Sequence, residues 1–173
     1  MPISLYDATI PSFLQMLGTM SSLLEKAEAF CAERGIAGDE IMQSRLTDDM
    51  LPFGYQVKST TVHSLGAIEG VRRGLFSPDR TPPPGDLTGL GEQVARTTAG
   101  LRAIDPAEME SLIGRDMRFE IGDRRLEFLA EDFLLSFAQP NFYFHAATAY
   151  DILRQQGVLI GKRDFLGKIR LKA

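Results

Sequence analysis

A chain of 173 residues with 44% apolar and 24% charged side chains can bury a substantial core, which excludes a disordered polymer. Nineteen Lys and Arg against twenty-three Asp and Glu give a net charge of −4, with no basic excess to neutralise a phosphate backbone, so nucleic acid is not an expected partner. No apolar run approaches the ~20 residues of a membrane span, Met1–Asp7 lacks the basic and apolar parts of a secretory signal, and Cys31 alone can form neither an intrachain disulfide nor a thiolate cluster; a cytoplasmic protein without a membrane partner is expected.

Phe13, Leu14, Leu17, Met20, Leu24, Ala27 and Cys31 recur at three- and four-residue steps until Gly35, which predicts a long amphipathic helix with Pro11 in its first turns or at its start. Cys31 continues the apolar stripe and is expected to be a packed thiol. A short helical turn over Asp39–Arg45 precedes a second long helix, about Leu51 to Leu75. On that helix Val57, Leu65, Ile68 and Val71 share one face, and Gln56, Thr60, His63, Ala67 and Gly70 another. The stretch 77–86 contains four prolines and reads as a connecting loop too polar to pack, not as a domain boundary, so residues 1–173 are expected to form one domain.

Asp86 suits the N-cap of a third helix with Leu87, Leu90, Val94, Leu101 and Ile104 inward, and Asp105, Pro106 and Glu108 open a short helix to about Leu112. Alternation around Gly122-Asp123 predicts a hairpin over about 116–128 with a type II′ turn, pairing Phe119 with Leu126, Met117 with Phe128, Glu120 with Arg125 and Arg118 with Glu127. Its apolar face is expected to lie on the helices or on a second subunit. A last helix, about Ala130 to Gln156, should be kinked or divided at Pro140, which pushes Gln139 away from helical angles. The result is an all-α four-helix bundle with short accessory helices and one small hairpin.

Phosphate loops, nucleophile elbows and paired-cysteine or His-Glu-x-x-His motifs are absent from the sequence. A bundle can build a metal centre or a pocket from facing helices, and His63 and His145 stand on the second and last. His145 shares a stripe with Leu134, Ala138, Asn141, Phe142, Ala149 and Ile152, which directs it inward. A catalytic metal wants three protein ligands, and one turn beyond His145 stands Ala149; Asp48, Asp49, Glu131, Asp132 and Asp151 are the carboxylates available to replace it. Asn141, Tyr143 and Gln56 complete the candidate pocket, within the aromatic run Asn141-Phe142-Tyr143-Phe144-His145.

Arg45-Leu46-Thr47-Asp48-Asp49-Met50-Leu51-Pro52, Gln56-Val57, Pro140-Asn141-Phe142-Tyr143-Phe144-His145, Thr148-Ala149-Tyr150, Ile152-Leu153-Arg154, Gly157-Val158 and Gly161-Lys162-Arg163-Asp164-Phe165-Leu166-Gly167 resemble the family called domain of unknown function 1993. The opening Ser4-Leu5-Tyr6-Asp7 fits as well, so the resemblance spans essentially the whole chain. It implies a branch of the DinB/YfiT-like superfamily of four-helix bundles, a fold of metalloenzymes that includes metal-dependent thiol transferases, hydrolases and isomerases, commonly dimeric. The superfamily's metal site implies one histidine on the second helix and a pair four residues apart on a later one. His63 and His145 match two of these positions and Ala149 departs from the third. The expectation is a small-molecule pocket between the second and last helices, a homodimer, or both; the alternative is a transferase or hydrolase using zinc, nickel or manganese on the incomplete histidine set.

Overall fold

The computed structural model describes residues 3–172; Met1 and Pro2, the start of the stretch read for a secretory signal, and Ala173 lie outside them. Helix α1 (Leu5–Arg34) begins where the Ser4 hydroxyl accepts from Asp7 N–H at 3.0 Å and ends at Gly35, whose φ of 65° is the left-handed turn that glycine adopts without strain. Pro11 lies inside this helix, two turns beyond its start. After α2 (Gly38–Gln43), helix α3 (Phe53–Thr61) runs without a break in helical angles through a π-turn (Val62–Gly66) into α4 (Ala67–Arg73).

The second helix therefore stops short of Leu75. Gly74, with φ 70°, turns the chain so that β1 (Leu75–Phe76) pairs in parallel with Arg118 and Phe119. The expected lone hairpin is thus the outer part of a three-stranded sheet, in the order β1-β2-β3, with β2 (Asp116–Ile121) and β3 (Arg124–Leu129). A two-residue strand is too short to carry an alternating pattern, so nothing in the sequence announces it. The hairpin register agrees pair for pair with the reading above. Gly122 has φ 56° and no described non-glycine residue, Asp123 included, has positive φ, so the turn is type II′ and not I′.

Asp86 and Asp105 cap α5 (Leu87–Arg102) and α6 (Pro106–Ser111) through hydrogen bonds from Gly89 and Ala107 N–H, as their spacing implies. The last helical region comprises α7 (Ala130–Asp132), a second π-turn (Phe133–Ala138) and α8 (Gln139–Gln155). Gln139 keeps helical angles, φ −65° and ψ −44°, contrary to expectation. The irregularity sits in the widened turn before Pro140 instead. A short α9 (Lys162–Leu166) closes the chain against α1, through an ion pair of 2.6 Å from Lys26 to Asp164.

Helix α1 packs along α5, and α3 along α8, so four helical layers surround one continuous apolar cluster centred on Phe13, Phe53, Phe133 and Phe142. Cys31 is buried in it, and burial, with Glu40 and Glu28 nearby, pushes its pKa up, so the thiol stays protonated and inert. Met117 and Phe119 cover the bundle, whereas Leu126 on the outer strand stays 48% exposed. No described helix is long and apolar enough to cross a membrane.

Candidate functional site

Helix α3 is buried on almost every side: of Phe53–Thr61 only Tyr55 is partly exposed. Its polar side chains must therefore find partners inside the protein. Gln56 donates through Nε2 to the Leu51 carbonyl at 2.8 Å, and its Oε1 lies 2.7 Å from Nδ1 of His145 on α8. Seven residues after Gln56, the first π-turn carries His63. The two imidazoles meet, with ring centroids 5.5 Å apart and planes only 17° from parallel. A π-turn inserts one residue's worth of extra arc and re-aims the side chains on it, a distortion that recurs at functional sites.

Phe76 of β1 packs 5.6 Å from the His63 ring, and Phe137 of the second π-turn 6.2 Å from it. Gly70 makes room for this arrangement: a Cβ there would lie 3.0 Å from Phe76 Cβ and ring alike. Around the histidines opens a cavity of about 270 Å³, walled by Phe76, Phe119 and Phe137 and reached by Tyr55, Asn141 and His145. Burial holds His63 well below its ordinary pKa of 6.5, at about 4, helped by the neighbouring His145. Burial alone holds His145 at about 4, so both rings are neutral near pH 7. His63 Nδ1 is buried with no hydrogen-bond partner, an orphaned polar atom on a ring that lines the cavity.

The proline-containing loop is part of this wall, through Pro78 and Asp79, and is anchored where the sequence suggested none. Lys58 is 2% exposed and reaches Asp79 Oδ2 at 3.1 Å, the Asp79 carbonyl at 3.2 Å, the Thr81 hydroxyl at 3.0 Å and the Thr81 carbonyl. Burial raises the Asp79 pKa, but hydrogen bonds from Thr81 and Lys58 outweigh it and leave the carboxyl below its ordinary value. Lys58 was legible in one respect: it is the only charged residue in Phe53–Thr61, and a lone charge in an otherwise apolar or small-polar helix must be neutralised by something distant in sequence.

Of the sequence-derived candidates, His63, His145, Gln56 and Asn141 come together. Asn141 lines the cavity and donates to the Phe137 carbonyl at 2.7 Å, tying the second π-turn to α8. Tyr143 does not line the cavity; it is 38% exposed and packs edge-on against Phe142. Ala149 is fully buried, and no group of three or more His, Cys, Asp or Glu side chains able to hold a metal forms among the described residues. The carboxylates Asp48, Asp49, Glu131, Asp132 and Asp151 are thus not brought to the histidines, and the donor set is one short of the three that a catalytic metal takes.

Residues 5–166 match the family described as Domain of unknown function (DUF1993). The chain belongs to the DUF1993 family. A crystal structure of a DinB family member protein from Shewanella denitrificans is similar, with 27% sequence identity and a TM-score of 0.80, covering 98% of this chain and 95% of that one. The DUF1993 chain accordingly has the DinB-like, mostly helical fold expected from its sequence. No functionally curated protein matches it.

Proposed function

We propose that this DUF1993 protein binds a small, mainly apolar molecule in the cavity between α3 and α8, with His63 and His145 as its polar end. The observation that carries this reading is the pairing of two neutral, desolvated imidazoles, one with an orphaned ring nitrogen, at the wall of an aromatic cavity. An imidazole nitrogen that a ligand desolvates without pairing costs about 1–3 kcal/mol, so a molecule seated here must answer the ring nitrogen it covers. The test is a fragment screen read by protein-observed NMR: binding that shifts the His63 and His145 resonances and disappears in His145→Ala supports the reading, and hits that cluster elsewhere refute it.

A metal reading competes with it. The two imidazoles would be its ligands, and His145 has the hydrogen-bonded second ring nitrogen common to metal-bound histidines. With no third His, Cys, Asp or Glu gathered among the described residues, the two histidines do not complete such a centre. Stoichiometric zinc, nickel or manganese in protein purified without an affinity tag would reverse this preference.

Assembly as a homodimer belongs to the same proposal, through the outer strand β3 and its neighbours. Leu126, Leu129 and Ile121 are exposed there, and β3 has a free edge. Phe119 is covered by Phe76 and Phe137, so it is the wrong side chain to alter. Leu126→Asp is the suitable change, and sedimentation should show a dimer becoming a monomer; a dimer that persists counts against this surface. A single buried thiol with no possible intrachain disulfide fits a reducing compartment such as the cytoplasm.

A further inference from the structure

The hydrogen-bonding character of the cavity follows from one backbone carbonyl. Leu51 C=O can only accept, so the Gln56 atom 2.8 Å from it is the donor Nε2. That orientation turns Oε1, an acceptor, toward His145 Nδ1 at 2.7 Å. Two lone pairs cannot face each other at that distance, so Nδ1 carries the imidazole proton and donates it to Gln56. In the neutral ring Nε2 is then an unprotonated acceptor. It makes no hydrogen bond among the described residues, and it is not one of the buried orphaned atoms, so a ligand can reach it.

The remaining cavity groups limit what that ligand is. The cation nearest the cavity, Lys58, is already engaged by Asp79 and Thr81, leaving nothing to balance an anion. The walls Phe76, Phe119 and Phe137 suit a flat apolar body. We infer, building on the cavity reading above, that the Leu51–Gln56–His145 chain makes this site select neutral phenol-like molecules, whose O–H or N–H donates to His145 Nε2, with Gln56 as the positioning residue. A ligand offering only an acceptor leaves Nε2 desolvated and unpaired, and an acid would have to be taken up as its anion.

The test has two readouts. In protein carrying ¹⁵N-histidine, long-range proton–nitrogen correlation at neutral pH is expected to show His145 as the Nδ1–H tautomer, and Gln56→Met is expected to lose that preference. An Nε2–H pattern in the unaltered protein overturns the inference. Titration with phenol, anisole and benzoate is expected to rank phenol about tenfold or more above the other two, a gap that closes in Gln56→Met. Equal binding of anisole or benzoate overturns the selectivity while leaving the cavity reading intact. If none of the three binds, the cavity reading falls and the selectivity with it, whatever the tautomer. If Gln56→Met does not fold, the tautomer and the ranking in the unaltered protein decide alone.

Discussion

Two concavities on this molecule make an instructive contrast. The larger, about 480 Å³, lies between α1 and the C-terminal segment and is edged by Arg102, Asp164, Lys168 and Arg170. Its charged groups are set in solvent, and Asp164 is already paired with Lys26. The smaller, about 270 Å³, holds two neutral imidazoles, an orphaned ring nitrogen and a lysine withdrawn from water. Volume alone favours the first. Chemistry favours the second, because burial is the leading cause that perturbs the titration of His63 and His145 there, and desolvation strengthens electrostatic interactions.

The contrast breaks first if the smaller cavity proves unanchored. Lys58→Met removes the buried cation that holds Asp79 and Thr81, and should lower unfolding free energy by about 2 kcal/mol in urea. Amide exchange should rise over residues 77–86 in the same variant. An unchanged midpoint would make this loop no more organised than the solvent-edged groove.

Between pH 6.5 and 4, acid should act on the smaller cavity through its two histidines. Both histidines are held near a pKa of 4 in the folded chain against 6.5 ordinarily, so between those values the unfolded chain binds more protons. Their contribution to stability is complete above pH 6.5 and is lost as pH falls through 6.5 toward 4. His145→Ala should flatten the thermal-midpoint profile across that window, and a profile identical to that of the unaltered protein would refute the neutral, desolvated pair.

Two smaller effects sharpen the comparison. Ala149→His supplies the absent third imidazole one turn from His145, at an overpacking cost of about 1–3 kcal/mol. Elemental analysis should then find near-stoichiometric zinc in the variant and little in the unaltered chain. Arg102→Ala, at the larger groove, should change stability by no more than about 0.5 kcal/mol and leave the phenol titration untouched.

The long helices, the caps at Asp86 and Asp105, and the complete hairpin register were legible because each depends on residues close in sequence: a 3.6-residue repeat, a side chain reaching its own first turn, a glycine supplying positive φ. His145, Gln56 and Asn141 were legible as inward candidates for the same reason. The two π-turns were not, because a widened turn reflects packing between helices and leaves no periodic mark. Nor was β1, whose partner is more than forty residues away. Pro140 misled because local proline sterics predict a break, while the adjoining π-turn kept Gln139 helical.

By itself, then, the sequence determined a helical bundle with an appended hairpin and two histidines on helices that could face each other. Tertiary structure alone decided that the rings meet, that among the described residues no carboxylate completes a metal-holding set with them, that Lys58 pins the proline-containing loop beside them, and which nitrogen of His145 is left open. Those outcomes depend on desolvation and on hydrogen bonds between segments far apart in the chain, and neither is a property of any local stretch of residues.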